Sequence, residues 1–255
     1  MPHDRQPRSA LGKSLTVLET VINRTGPVTL GTIAMRLSMP KQTVHRIVQQ
    51  LVSEGLLERT FASAGYVAGR RLKRLGERTL SQCLQAAPVR AILQHLVDEL
   101  QETCNIGVLD GTEVVYVERV ECNWPLRMQL QPGNRVPAYC TGIGKMLLAS
   151  LDARSRRRLI ENLSLHEYTE RTITDADQLL DALKKIRRQG YALNNQENTV
   201  GMLGLAVPVL GEECRVIAGL AVHAPVARLS PDAALEKLSY LKSAAEKIGR
   251  SIINP

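Results

Sequence analysis

One short stretch constrains this chain more than any other. Within residues 29–54, two helical patterns follow one another across a three-residue break, Ser38-Met39-Pro40. In the first, Thr29 is placed to cap the helix, and Leu30, Ile33, Ala34 and Leu37 recur at i, i+3, i+4 and i+7. The second is expected over 40–54, with Pro40 near its first position, where a missing N–H costs nothing. Val44, Ile47, Val48 and Leu51 form its apolar stripe. Its opposite face carries Lys41, Gln42, Thr43, His45, Arg46, Gln49 and Gln50, with no carboxylate before Glu54. A solvated helix usually mixes both signs of charge. A face of donors and acceptors without acids suits the major groove of duplex DNA, where base edges offer acceptors and phosphates flank them.

The two helices and their tight turn have helix-turn-helix proportions. A preceding helix is expected over 11–23, with Leu11, Leu15, Leu18 and Ile22 as its stripe. After Gly55, residues 56–59 and 65–67 read as two short strands around 60–64, a wing. Charge agrees with this placement. Residues 1–87 hold 13 Lys and Arg against 5 Asp and Glu, whereas residues 88–255 hold 20 of each, so the whole net charge of +8 lies in the first third. Only 3% of residues are aromatic, which disfavours single-strand binding by base stacking.

The run PKQTVHRIVQQLVSEGLLER at 40–59 resembles the recognition helix and wing of the IclR family of transcriptional regulators. The resemblance implies DNA contact by Lys41, Gln42, Thr43 and Arg46, with Arg46 on a guanine or a phosphate, and backbone contact by Thr32. His45 is either a contact or a filler against the wing. A basic helix is expected over 70–85, with Leu72, Leu75, Leu80 and Leu84 along it and Pro88 closing it. In the family this segment is a linker helix packed between protomers, which would bring Arg70, Arg71, Lys73 and Arg74 near DNA. The resulting division is 1–69 winged helix-turn-helix, 70–87 linker helix and 88–255 effector-binding domain.

From 89 onward helices and strands mix. Helices are expected over 89–102, 142–151, 153–162, 175–189 and 231–252. Strands are expected over 105–109 and 113–119, around the hairpin signal Asp110-Gly111, and over 125–130, 203–209 and 216–223, the last two joined by a turn at 211–213. This is an α+β pattern. PAYCTGIGKMLLASL at 137–151, TERTITDADQL at 169–179 and ENTVGMLGLAVPVL at 197–210 resemble the IclR effector-binding domain, which implies a GAF-like fold. Thr141-Gly142-Ile143-Gly144 opens a helix, and a glycine-bearing helix amino terminus favours a carboxylate or phosphate.

Carried over by position, the family's effector contacts fall on Val136, Gly142, Ile143, Asn194, Gly204, Ala221 and His223. His223, on an apolar strand, is either a satisfied core group or an effector contact. The family often has Cys in place of Gly204 and Asp in place of Asn194. Gly204 and Ala221 are smaller than usual, which would leave room for a larger ligand such as an aromatic acid.

Enzyme readings are weak. Gly142-Ile143-Gly144-Lys145 lacks the Ser or Thr and the spacing of a phosphate loop. A thiol enzyme using Cys104 or Cys140 with His223 has no local feature lowering a thiol pKa. No catalytic residue is assigned. The five cysteines are scattered and never spaced as CxxC, so neither a disulfide framework nor a metal site is expected. No cofactor, no membrane span and a reducing cytoplasm follow as expectations; the start of the chain shows no secretory signal. The expected partners are a double-stranded DNA operator, a small organic acid effector and a second copy of the chain, as a homodimer or a dimer of dimers. A DNA-organising protein without a sensor is the competing binding class.

Overall fold

The computed structural model describes residues 9–24, 26–60, 65–127 and 130–253, and divides into two compact units, Met1–Leu80 and Ser81–Pro255. The first unit opens with α1 (Ala10–Ile22), whose first turn is capped by Ser9 Oγ accepting from Gly12 N at 2.9 Å. Next come α2 (Leu30–Leu37) and α3 (Lys41–Ser53). Thr29 caps α2 as expected, and Ser38 turns the chain in the left-handed region (φ 49°). Strands β1 (Leu57–Arg59) and β2 (Tyr66–Ala68) pair antiparallel, and Val28 bridges to Tyr66. The wing tip at 61–64 lies outside the described residues.

Val17, Val21, Val28, Ile33, Val44, Val48, Leu51, Leu57 and Tyr66 make the core of this unit. The α1 stripe read from the sequence is corrected here. Leu18 is buried, but Leu11, Leu15 and Ile22 are exposed, and Val17 and Val21 take the inward side. This helix is apolar on two faces, so spacing alone could not say which one packs. Helix α4 (Arg70–Leu84) ends earlier than expected, and Pro88 does not close it. Pro88 sits instead in the first turn of α5 (Ala87–Leu100), where its fixed φ suits a helix start.

In the second unit, β3 (Thr103–Asp110) and β4 (Glu113–Val120) form the expected hairpin. The strand expected over 125–130 is not formed at 125–127 or 130, and 128–129 lie outside the described residues. A short strand appears instead as β5 (Arg135–Pro137). Then follow α6 (Gly142–Ser150), α7 (Ala153–Glu161), α8 (Ala176–Gln189), β6 (Ala192–Asn195), β7 (Met202–Leu210), a 3-10 turn at Glu212–Cys214 and β8 (Val216–Pro225). The long final helix is broken at Lys237 into α9 (Pro231–Glu236) and α10 (Leu238–Ile253).

The strands form one antiparallel sheet in the order β5-β4-β3-β8-β7-β6. Helices α5 and α10 pack on one face; α6 covers the other and is backed by α8. With both faces covered, β7 and β8 read as near-continuous apolar runs rather than alternating ones. The unit is α+β.

Helix α6 lies very close to the chain before it. A methyl group on Gly144 would overlap the Ala138 backbone, so only glycine fits. Gly76, inside α4, has no neighbour within 4 Å of such a methyl. Gly144→Ala should destabilise the chain by about 1–3 kcal/mol through overpacking. Gly76→Ala should stabilise it by about 0.5–1 kcal/mol through helix propensity. Chemical denaturation of both variants checks the opposite signs.

Candidate functional sites

Helix α3 presents the face expected of it. Val44, Ile47, Val48 and Leu51 are buried, while Lys41, Gln42, His45, Arg46, Gln49 and Gln50 are exposed and Thr43 is half-buried. Six of these seven outward side chains stand in solvent with no carboxylate among them. Thr32 is half-buried, and its hydroxyl lies 3.0 Å from that of Thr29, within the cap of α2. The Arg70 side chain is exposed, and its backbone N–H donates to Glu58 Oε1 at 3.0 Å. Arg71 is different from the rest of the set. Its guanidinium donates to Glu54 Oε2 at 2.6 Å and to Glu54 O at 3.3 Å, tying the start of α4 to the end of α3.

The second site lies on the sheet face under α6. Strand register puts Asn105, Ala221 and Ala206 side by side, with His223 and Gly204 in the neighbouring row. Asn194 pairs with Gly204. Helix α6 starts over these residues: a methyl on Gly142 would meet Ala206 Cβ and Gly204 O at 3.4 Å. Its cap residue Thr141 makes no side-chain cap bond, because its hydroxyl donates instead to Pro137 O at 2.8 Å.

The structure thus brings Gly142, Asn194, Gly204, Ala221 and His223 together. Ile143 is core: its side chain reaches towards Gly107 and Gly219. Val136 lies on β5, four strands from β7 in the sheet order. The expectation that Gly204 leaves room for a ligand is overturned. A methyl there would stand 2.9 Å from His223 Nδ1 and 3.0 Å from its Cε1, so the imidazole uses that room. Asn194 turns its carboxamide oxygen to the Glu197 N–H at 2.9 Å, which holds the following loop.

Sequence reasoning missed a polar set on the same face. Asn105 is fully buried on β3, and neither atom of its carboxamide makes a well-formed hydrogen bond among the described residues; its side chain interacts only weakly with the Tyr116 hydroxyl. Tyr116, paired with Gly107, meets His223 edge-to-face with ring centres 6.4 Å apart. Arg119, paired with Asn105, is buried and bonds Glu121 through Nε at 3.3 Å. Burial, and then the positive charge of Arg119, hold His223 down at about 4, so its imidazole is neutral near pH 7. Burial pushes the Tyr116 phenol up to about 12, and its weak hydrogen-bonding interaction with the Asn105 side chain offsets part of that rise. The available signal was the polar Asn105 inside the apolar run Cys104 to Leu109.

A buried ion pair closes the edge of the site. Lys145 Nζ bonds Glu197 Oε1 and donates to Leu193 O at 2.9 Å. Thr169 and Thr172 hydroxyls donate to Gln196 O and Glu197 O at 2.7 and 2.6 Å, which gives the 169–179 motif a structural role. Lys145 is thereby occupied and is no phosphate-loop lysine. The thiol reading also fails on geometry. Cys104 pairs with Val222 and faces away from His223; burial pushes its thiol up, and pushes that of Cys140 up to about 12.

Comparison with known proteins identifies the family. Residues 10–60 match the family model of the IclR helix-turn-helix domain, and residues 77–250 match that of the bacterial transcriptional regulator IclR C-terminal domain. The probable transcriptional regulator SauR of Cupriavidus necator is 42% identical over 240 residues, covering 94% of this chain and 95% of SauR. A solved IclR homologue from Microbacterium hydrocarbonoxydans, complexed with 4-hydroxybenzoate, superposes with a TM-score of 0.61 at 27% identity, covering 96% of this chain and 99% of that one. The inducer-binding domain of a PobR double mutant from Acinetobacter, complexed with 3-hydroxybenzoic acid, gives 0.59 at 32% identity over 64% of this chain and 97% of its own. Matches to both family models, in this order and over most of the length, show that the chain belongs to the IclR family of transcriptional regulators and is not an enzyme.

Proposed function

We propose that this regulator binds a duplex operator through α3 as a dimer, or a dimer of dimers, and alters operator affinity when a small organic acid occupies the sheet face beneath α6. The carboxylate-free outward face of α3 carries the DNA half of this reading. Lys41, Gln42, Thr43, His45 and Arg46 stand where a major groove would receive them, and Arg46 is long enough to form the bidentate contact that reads guanine. Thr32, Arg70 and Arg71 serve the phosphate backbone. The three-part division at 1–69, 70–87 and 88–255 gives α4 the role of connecting lever.

The acid half rests on the uncapped amino terminus of α6, where Gly142, Ile143 and Gly144 leave backbone N–H groups for an anion, a favourable place for negative charge. Asn194, Gly204, Ala221 and His223 form the surface facing it, with Val136 at the far edge. Two relatives of the same fold were solved with hydroxybenzoic acids, which makes those acids the first probes.

Ligand binding need supply only a differential of about 1–3 kcal/mol between two arrangements of α4 to shift operator affinity some 5–150-fold. Saturating acid that left operator affinity and oligomeric state unchanged would overturn the mechanism. Band shift on the intergenic DNA upstream of the gene, with and without acid, makes the measurement.

Two substitutions separate base reading from phosphate binding. Arg46→Ala should cost operator affinity about 1–3 kcal/mol and relax sequence preference at one base pair. Lys73→Ala should weaken binding to all duplexes alike and reduce the log–log salt slope by about 1. Fluorescence anisotropy against operator and scrambled duplex, from low to moderate salt, distinguishes the two patterns.

A further inference from the structure

Most of the sheet face beneath α6 is lined with small or apolar side chains, and Asn105 is an exception. It is fully buried in the middle of β3, yet neither carboxamide atom makes a well-formed hydrogen bond among the described residues, its side chain meeting the Tyr116 hydroxyl only weakly. His223, one row along on the neighbouring strand, is 8% exposed, and its Nε2 also has no partner among the described residues. Burying an amide or an imidazole nitrogen without a well-formed hydrogen bond is costly. Two such groups on one face, beside the Tyr116 ring, mark a surface built for something that completes their bonds.

The register fixes where that something lies. Asn105 pairs with Ala221, Ala221 pairs with Ala206, and the start of α6 rests on Ala206 and Gly204. Strand spacing of about 4.7–4.9 Å places Asn105 about 10 Å along the sheet from the helix amino terminus. One end of this surface offers backbone N–H groups to an anion. The other offers the Asn105 Nδ2, the Tyr116 hydroxyl and the His223 Nε2 to a second polar group.

We infer that Asn105, Tyr116 and His223 form a hydrogen-bonding subsite opposite the α6 amino terminus, selecting acids that carry a second oxygen function remote from the acidic group. This rests on the acid-effector reading above and narrows its ligand class. A 2-hydroxy acid, whose two oxygen functions lie on adjacent carbons, cannot reach both ends. A para-hydroxylated aromatic acid or a four-carbon dicarboxylate can. A site made to bond a ligand oxygen rejects the analogue lacking it far more strongly than an apolar pocket rejects a missing methylene.

The test uses the full chain and two matched pairs, 4-hydroxybenzoate with benzoate and succinate with butyrate, titrated by calorimetry. In at least one pair the member with the remote oxygen should bind ten-fold or more tighter. Asn105→Leu and Tyr116→Phe should each reduce that preference to about three-fold or less, while leaving affinity for the plain acid unchanged. Ligand-free Asn105→Leu should melt at or above the temperature of the parent, because the amide it removes makes no well-formed bond in the ligand-free fold. A lowered melting temperature would make Asn105 a structural group. Tyr116→Phe, which keeps the ring, tests the subsite even if Asn105→Leu does not fold. Equal binding within both pairs, or a preference that survives both substitutions, overturns the subsite but leaves the acid reading standing. Failure of all four acids to bind would overturn the acid-effector reading together with the subsite.

Discussion

The second unit depends on how closely α6 lies on the chain and sheet around it. Gly144 lets the helix backbone touch Ala138, Gly142 rests on β7, and Ile143 fills the space over Gly107 and Gly219. A larger residue at Gly144 would lift the helix, and with it the backbone N–H groups at its start, off the sheet surface. The same closeness explains why that surface is built of Gly and Ala, with His223 admitted only because residue 204 has no side chain. This close packing is therefore what holds the amino terminus of α6 over the sheet.

Lys145 shows the energetic side of that arrangement. Its ammonium is taken out of water in the first turn of α6 and answered by Glu197 across the loop after β6. Such pairs contribute little net stability, since desolvation offsets most of the attraction, but removing one partner leaves an uncompensated buried charge costing about 3–5 kcal/mol. The pair thus specifies position more than it stabilises. It joins α6 to the loop that Thr169 and Thr172 hold from the other side.

Much of this was legible in the sequence, and the exceptions have physical causes. Helix α3 was readable because its two faces differ completely. Helix α1 was misread because Leu11, Leu15, Val17, Leu18, Val21 and Ile22 cover more than one face, and periodicity does not choose between them. The apparent strand at 125–130 had alternation without a partner, while β5 and β6, at three and four residues, were too short to show a period. Of the positions carried over from the family, Gly142, Asn194, Gly204, Ala221 and His223 come together on the sheet face beneath α6. Asn105, Tyr116 and Arg119 share that face, and their proximity appears only when the register sets them beside His223. The Lys145–Glu197 pair, 52 residues apart, had no local trace at all.

The bond between Arg71 and Glu54 has a consequence for how the DNA-binding unit meets a polyanion. Both side chains are well over a third exposed, so the pair itself contributes only about 0–1 kcal/mol. Its guanidinium is nonetheless already engaged by an anion before any nucleic acid arrives. A phosphate approaching Arg71 must displace or share that carboxylate, and the exchange releases fewer bound counterions than a bare arginine would. Arg71 would therefore be a weaker electrostatic anchor than its charge suggests, and in the absence of a polyanion it joins the end of α3 to the start of α4.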